Sequence, residues 1–598
     1  MGTTEVTGGA PEPVSPTYDE KHPVAEQSAA HTMQSLKSLE SPGVSRIKAI
    51  SSVLTLTDRI FIFFGIFLIA YCYGLDGTLR YTYQNYATGE FGESGSQALI
   101  SSVNVIRAVI GAATQPTAGK VADVFGRVEL ILASIVFYIV GTIVLATSAN
   151  VATFAAGTAI YQIGYTMITL LVEILVADIT STRARLFFSY IPALPFIINT
   201  WASGYIATSV LAGTTVHWGY AMWCIIYPVC CLPLIVTLWL VSRRAKKMGL
   251  LPDYKSAFQR LGMGNFLVQL FWLLDVPGII LVIAVFDLIL VPFTLAASNG
   301  WKSASVIAPL VIGFCCIPVF IIWELRAPHP LVPFRLMKDR GVWAALGIAL
   351  MLNFVWYMQG DYLYNMLIVA FDFDINMATR VSSLYSFCSV IVGPIMGLVV
   401  FKIRRLKYVI LAGTALFMVA FGLLIHFRSH TEGSNAKVGV IAAEVLLGVA
   451  GGMFPYPAQA SLQVQLKHEN LAVMTGIYLA TYNIGSALGN AVSGAIYTQV
   501  LPGYLSEQLT NQTLAVEVYG YPAGIAPLYA MDTPERQGMV HAFGQTQRLL
   551  CITGIALCTL LIGFAFALRN PVLTDAQTLA KDSDSETDAE VPVSETKA

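Results

Sequence analysis

Charge is what this chain has least of. Of its 598 residues 12% are charged and 56% hydrophobic, where a soluble protein carries roughly 25% charged residues. The net charge of −1 says nothing about partners, and nucleic-acid-binding, secreted and soluble-enzyme readings are all poor. Cysteine pairs are missing too. Cys72, Cys224, Cys230, Cys231, Cys315, Cys316, Cys388, Cys551 and Cys558 all lie inside apolar segments, with no CxxC pair among them. A free cysteine in such a place behaves as a small hydrophobe. No HExxH spacing occurs, so neither a protein metal site nor a cofactor is expected. No nucleophile–base constellation lies outside the apolar runs, which argues against an enzyme. Residues 1–57, rich in Ser, Thr, Pro and Glu, lack an apolar stretch long enough for a signal peptide. They read as a disordered tail, and the first hydrophobic helix must serve as the insertion signal.

What the chain has in abundance is apolar runs of about twenty residues, the length that crosses a bilayer as helix. Fourteen such runs lie between residues 60 and 568, so the chain is an all-α polytopic membrane protein. Lys and Arg collect in alternate loops, as in Arg243, Arg244, Lys246 and Lys247, and again in Lys402, Arg404, Arg405 and Lys407. By the positive-inside rule those loops and both termini are cytosolic. The sequon Asn511-Gln512-Thr513 falls on the other side, where Asn511 can carry a glycan. Segment 242–274 opens with a basic patch and continues as an interfacial helix. Outer loop 500–546 holds Tyr504, Tyr519, Tyr521 and Tyr529, and a loop of that length is expected to have a task.

Polar groups inside spans are costly in lipid and mark candidate sites. Gln162, Thr166, Thr169 and Glu173 share one face of the fourth span, and Asn104, Arg107, Gly111 and Thr114 one face of the second. Asp76 and Arg80 end the first span one turn apart, able to pair. Arg107 itself calls for an acid, with Asp76 as the first choice, or for the polar edge of a substrate. Glu444 marks the twelfth span, and Asp287 lies mid-span in the seventh with no evident partner. Asn483, Ser486, Asn490 and Ser493 of the thirteenth span fit hydrogen-bonded helix packing better than a cavity lining.

The loop after the second span reads Gly119-Lys-Val-Ala-Asp123-Val-Phe-Gly126-Arg127. It resembles the GxxxDxxGR signature of the major facilitator superfamily, in which Asp and Arg link inner helix ends. Leu75-Asp76-Gly77-Thr78 resembles a first-span motif of fourteen-span drug–proton antiporters. The fourth-span Arg and fifth-span Gly-Pro motifs of those exporters are missing. The closer resemblance is to the fungal siderophore–iron transporters. It rests on Ile163-Gly164-Tyr165-Thr166, Ala177-Asp178-Ile-Thr180, Asn299-Gly300-Trp301-Lys302-Ser303, Tyr482-Asn483-Ile-Gly485-Ser486-Ala487 and Ser493-Gly494-Ala495-Ile496-Tyr497.

That resemblance implies a major facilitator fold with 14 transmembrane helices. A six-helix bundle would occupy 58–241, an inserted pair 275–323, a second bundle 324–568 and an acidic disordered tail 569–598. It implies uptake of ferric hydroxamate siderophores in symport with protons by a monomer. The plasma membrane is favoured over endosome or vacuole. Haem uptake and proton-antiport export of a thiol peptide or drug are the competing readings. A hydroxamate chelate fills the coordination sphere of iron, so the protein needs aromatic walls and a few hydrogen-bonding groups rather than metal ligands. The residues expected to bind it are Tyr73, Arg107, Gln162, Trp356, Tyr357, Gln359, Asp361, Tyr362, Asn365, Tyr482 and Tyr519. Asp76, Glu173 and Glu444 are the expected proton carriers.

Overall fold

The computed structural model describes residues 42–90, 96–180, 182–249, 274–328, 338–429, 434–466 and 471–573, with short pieces at 268, 271–272 and 330–332. Every regular element among them is a helix. The first half runs through α1 (Pro42–Val53), α2 (Leu56–Glu90), α3 (Ser96–Phe125), α4 (Arg127–Ala146), α5 (Val151–Ile179), α6 (Thr182–Ser189), α7 (Pro195–Gly213), α8 (Val216–Ala221) and α9 (Trp223–Lys247). The pair α10 (Val276–Asn299) and α11 (Ala304–Arg326) follows. The second half holds α12 (Arg340–Gly360), α13 (Leu363–Val369), α14 (Ile375–Ser382), α15 (Leu384–Ile403), α16 (Lys407–Ser429), α17 (Ser434–Gly451), α18 (Pro455–Val464) and α19 (Leu471–Gln508). The short α20 (Gln512–Gly520) and α21 (Pro522–Ile525) lead into α22 (Pro534–Ala567). Local chemistry sets the boundaries. At the start of α5 the Asn150 side chain accepts the Thr153 N–H, and extended backbone at Thr180 ends the helix.

Each half has its own apolar core. One gathers residues from Ile47 to Val241. The other gathers residues from Val342 to Leu573, together with Leu186 and Tyr190. Between them, α3 and α19 form one of the most extensive helix pairs in the molecule. The inserted helix α10 packs into this junction, where Leu290 and Ile289 meet Val105, Val109, Ala487 and Ala491. Its companion α11 packs on α10 and turns Val311, Phe314, Val319 and Leu325 outward as an apolar face. Such a face suits lipid.

Fourteen helical segments stand where the fourteen apolar runs lie, and among the described residues twelve stretches are long and apolar enough to cross a membrane. The second and thirteenth, α3 and α19, are 30 and 38 residues long, and close packing shapes their composition. In α19 a Cβ at Gly476 would stand 2.9 Å from the Gln115 carbonyl oxygen, and one at Gly485 2.2 Å from that of Leu350. Close helix contact needs small and polar residues where lipid contact needs large apolar ones.

Two expectations change. The disordered tail does not run to residue 57, because Pro42–Val53 is helical and Arg46 pairs with Glu129 at 2.7 Å. Segment 500–546 is not a loop but a helical cap. In it α19 extends to Gln508, α20 and α21 fold back, and Leu505, Leu514, Val518 and Met539 share a core with Leu363 and Met366. His426 and His430 stand at HxxxH spacing, a pattern that bears on metal binding. His430 lies outside the described residues, among which no three His, Cys, Asp or Glu side chains converge. Most of the interfacial helix expected in 242–274, and the tail after 573, also lie outside the described residues.

Candidate functional site

The end of the molecule where the basic loops lie is here called the basic end. Its loop motif is built around Gly126, whose φ of +115° is unfavourable for a residue with a Cβ. A Cβ there would also stand 2.7 Å from Glu129 Oε2. The turn places Arg127 at the start of α4, where Nε and Nη2 donate to Asp178 Oδ2 at 3.2 and 3.1 Å and Nη1 donates to the Ala122 carbonyl at 2.7 Å. One arginine thus joins the ends of α3, α4 and α5. Gly119 is buried in α3, and the Asp123 side chain lies outside the described residues. Among the described residues Arg127 pairs with Asp178, a residue that sequence reasoning placed in no site.

Away from the loop motif, each half also buries a carboxylate–guanidinium pair. In the first, Arg80 Nε donates to both Asp76 oxygens at 2.7 and 2.8 Å, and Nη2 donates to Thr142 at 2.9 Å. Tyr138 and Tyr161 donate their hydroxyls to Asp76 Oδ2, the latter at 3.0 Å. The guanidinium lies 3.9 Å over the Tyr161 ring. In the second half, Arg428 Nη2 donates to Glu444 at 2.6 Å and to Gln359 Oε1 at 2.6 Å. Its Nη1 donates to Gln547 Oε1 at 2.9 Å and to the Gln359 carbonyl at 2.8 Å. Asp76, Glu444 and Arg428 are wholly buried. The expected Arg107–Asp76 pair does not form, because Arg80 already holds that carboxylate one helical turn away.

The seam between the halves has a different character. From the first half come Tyr73 and Tyr165, edge to face at 5.7 Å, with Gln162 and Gly111. From the second come Tyr482, Asn483, Tyr385 and Trp356, whose ring lies 5.0 Å from that of Tyr357 and 5.7 Å from that of Tyr385. Gly111 brings them together, since a Cβ there would lie 3.3 Å from both Gln162 Nε2 and Asn483 Nδ2. Arg107 reaches into this seam, within electrostatic range of Tyr165, Tyr357 and Asp361.

Cross-half hydrogen bonds close the seam at both ends. Toward the basic end, Gln459 Nε2 on α18 donates to Glu173 Oε2 on α5 at 3.2 Å. There too, the Tyr190 hydroxyl donates to the Gly452 carbonyl at 2.8 Å. At the opposite end, the Tyr81 hydroxyl donates to the Asp361 carbonyl at 3.2 Å and Arg380 Nη2 donates to Tyr205 Oη at 2.8 Å. The Asp361 carboxylate accepts the Ser493 hydroxyl.

The expected site residues thus divide. Tyr73, Arg107, Gln162, Glu173, Trp356, Tyr357, Asp361 and Tyr482 meet at the seam. Gln359 is buried against Arg428, and Tyr362 stacks on Tyr497 at 3.6 Å inside the second half. Asn365 faces Tyr497, and Tyr519 stacks on that same ring at 6.5 Å from within the cap. Burial there raises the Tyr519 hydroxyl above the ordinary tyrosine range. Asn511 is exposed and caps α20 by accepting the Thr513 N–H at 3.0 Å. Asn353 donates to Ser486 Oγ at 2.6 Å and to the Tyr482 carbonyl at 3.1 Å, which makes the α19 stripe a helix-joining one at that level.

A model of the Major Facilitator Superfamily matches residues 345–502. The chain is 43% identical over 548 residues to Siderophore iron transporter 1 of Saccharomyces cerevisiae, covering 90% of this chain and 86% of the relative. The chain belongs to the siderophore iron transporter family of the major facilitator superfamily. Siderophore iron transporter mirC of Emericella nidulans is 32% identical over 536 residues, covering 88% and 87% of the two chains. The crystal structure of peptide transporter POT in complex with sulfate superposes with a TM-score of 0.50 at 15% identity, over 87% of this chain and 99% of that one. That likeness speaks to the fold alone. The transporter is a multi-pass membrane protein and not an enzyme. Sequence reading of the transporter missed Gln459 and Tyr190, donors that span the seam at the basic end. Gln459 is a polar residue two positions past Pro457 in a helix of ordinary composition, and nothing local to it signals a partner in the other half.

Proposed function

We infer that this transporter carries ferric hydroxamate siderophores into the cytosol together with protons, with its basic end facing the cytosol. The seam supports this reading. A trihydroxamate chelate is bulky, apolar on its linkers and rich in amide-like oxygens around the metal. Tyr73, Tyr165, Trp356, Tyr357, Tyr385 and Tyr482 offer flat apolar faces with hydroxyl or indole donors, which suit such a surface. Arg107, Gln162 and Asn483 add a few donors without any metal ligand. The names of the yeast and Emericella relatives point to the same cargo.

Carriage would follow the parting of the halves at one end at a time. The chain would act as a monomer in the plasma membrane, with both termini cytosolic. Uptake of radioactive iron by a siderophore-auxotrophic yeast expressing the chain tests the reading, with a panel of ferric trihydroxamates and haemin as competitors. Accumulation that collapses on addition of a protonophore and is unaffected by haemin is the expected result. Accumulation indifferent to the protonophore would remove symport, and displacement by haemin alone would replace the substrate.

A further inference from the structure

Four carboxylates on the helices that build the seam and the cores behind it are sorted by their partners. Asp76 and Glu444 are each held by a buried arginine of their own half, at 2.7 and 2.6 Å. Loss of either negative charge would strand a guanidinium in a low-dielectric interior, and an unpaired buried charge is severely destabilising. Neither carboxylate touches the opposite half. Glu173 and Asp361 differ on both counts. Their hydrogen-bond donors are neutral, Gln459 for the one and Ser493 for the other. Each also belongs to a contact that crosses the seam, Glu173 through Gln459 and Asp361 through the Tyr81 hydroxyl on its carbonyl.

Their positions along the membrane are also complementary. Glu173 is six residues before the end of α5 at Ile179, about 9 Å from the basic end at 1.5 Å per residue. Asp361 follows α12, whose 21 residues begin at the basic end and rise about 30 Å to the opposite one. We propose that Asp361 takes up the coupled proton at the outer end and that Glu173 gives it up at the basic end, while Asp76 and Glu444 are structural charges. The assignment rests on the symport reading above.

The geometry supplies the order of events. The halves cannot part at the outer end without breaking the Tyr81–Asp361 bond, and they cannot part at the basic end without breaking the Gln459–Glu173 bond. Each opening therefore bares one carboxylate to one side only. Water outside donates a proton to an Asp361 carboxylate oxygen, and an O–H bond forms. As the halves rock, the Asp361 O–H bond breaks, its proton passes through water in the seam to a Glu173 carboxylate oxygen and an O–H bond forms there. On opening at the basic end that bond breaks and the proton leaves to cytosolic water. Around Asp361 stand Tyr81 from α2, Arg107 from α3, Tyr357 from α12 and Ser493 from α19. Arg107 makes no ion pair within 4 Å with any described residue, and it lies within electrostatic range of the Asp361 carboxylate. Around Glu173 stand Tyr73 from α2, Gln459 and Tyr456 from α18, and Tyr478 from α19, all neutral.

The test compares net accumulation with substrate counterflow in vesicles, using one ferric trihydroxamate already shown to be taken up. Counterflow exchanges substrate for substrate and needs no net proton movement. Glu173→Gln and Asp361→Asn should lose about tenfold of accumulation per unit of imposed pH gradient, the free energy one proton supplies. They should still exchange substrate. Asp361→Glu should recover part of the accumulation. The paired neutralisations Asp76→Asn with Arg80→Gln, and Glu444→Gln with Arg428→Gln, should keep accumulation that follows the pH gradient. Gradient-driven accumulation in Asp361→Asn or Glu173→Gln, or its loss with intact exchange in a paired neutralisation, would overturn the assignment. A parent protein that ignores the gradient would instead remove the symport reading on which the assignment stands. Should a paired variant fail to reach the membrane, lost gradient-driven accumulation with intact exchange in Glu173→Gln and Asp361→Asn upholds the assignment, and its retention in either overturns it.

Discussion

Arg428 shows how much one side chain can organise. It is wholly buried and bonds Glu444, both polar groups of Gln359 and the side chain of Gln547, so it joins α12, α16, α17 and α22 at one point. Truncation to alanine would leave a buried carboxylate and two amide groups without partners. Breaking a buried ion pair from one side costs about 3–5 kcal/mol. Arg428→Ala is therefore expected to lower the melting temperature of detergent-solubilised protein and to reduce surface delivery severely. Arg428→Lys should do the same in lesser degree, because an ammonium cannot reproduce the planar fork that reaches four oxygen acceptors. A melting curve for Arg428→Ala matching the parent would show that the buried network contributes nothing. Residues such as Tyr362 and Gln359 teach the complementary point. Their chemistry fits a ligand equally well, but packing has spent it inside the second half.

At the scale of elements, the helical cap formed by α20 and α21 is the part that departs most from expectation. Its anchor is Arg536 at the start of α22, which donates to the carbonyls of Ile368, Val369 and Ala526 and pairs with Asp372 at 3.3 Å. The cap therefore rests on α13, just beyond Asp361. Tyr519 touches the second-half core through Tyr497, whereas Tyr521 is exposed. If the cap captures substrate at the outer mouth, Tyr521→Ala should raise the half-saturation constant severalfold with maximal rate and surface expression unchanged. Tyr519→Ala should cost stability as well, since it removes part of a stacked core pair. An uptake curve unaltered in the Tyr519, Tyr521 and Tyr529 triple alanine variant would reduce the cap to a structural cover. The Gly126 turn makes the same argument at the other end. Its spacing is legible because a tight turn needs a specific residue type, and the turn then delivers Arg127 to Asp178.

For the whole molecule, the contacts between the halves decide which motions are open to it. At the basic end, a Cβ at Gly397 on α15 would lie 3.5 Å from the Cβ of Phe187 on α6. That separation falls within the range of a disulfide. The double variant Phe187→Cys with Gly397→Cys should therefore form a cross-link under mild oxidation. Since carriage requires the halves to part there, uptake should stop on oxidation and recover on reduction. Full cross-linking with undiminished uptake would exclude a rocking motion at this end. The nine native cysteines are all free, and four of them are buried, so the expected background of native cross-links is low.

The sequence by itself determined the class of protein, the positions of the membrane-crossing helices, the turn of the loop motif and the polar faces of α3, α5 and α19. These follow from local rules: a twenty-residue apolar run, a 3.6-residue repeat and the freedom of glycine at positive φ all act over short stretches of chain. It also placed Asp76, Glu173 and Glu444 together as proton carriers and Asp361 among the substrate-binding residues. Only the tertiary structure decided that Asp76 belongs to Arg80 and Glu444 to Arg428. It also decided that Glu173 meets Gln459, 286 residues away, and that Tyr190 meets Gly452, 262 residues away. A charge buried beside its partner and a charge set at a moving seam look alike along the chain. What separates them is which helix faces which, and that is settled by the packing of two whole cores against each other.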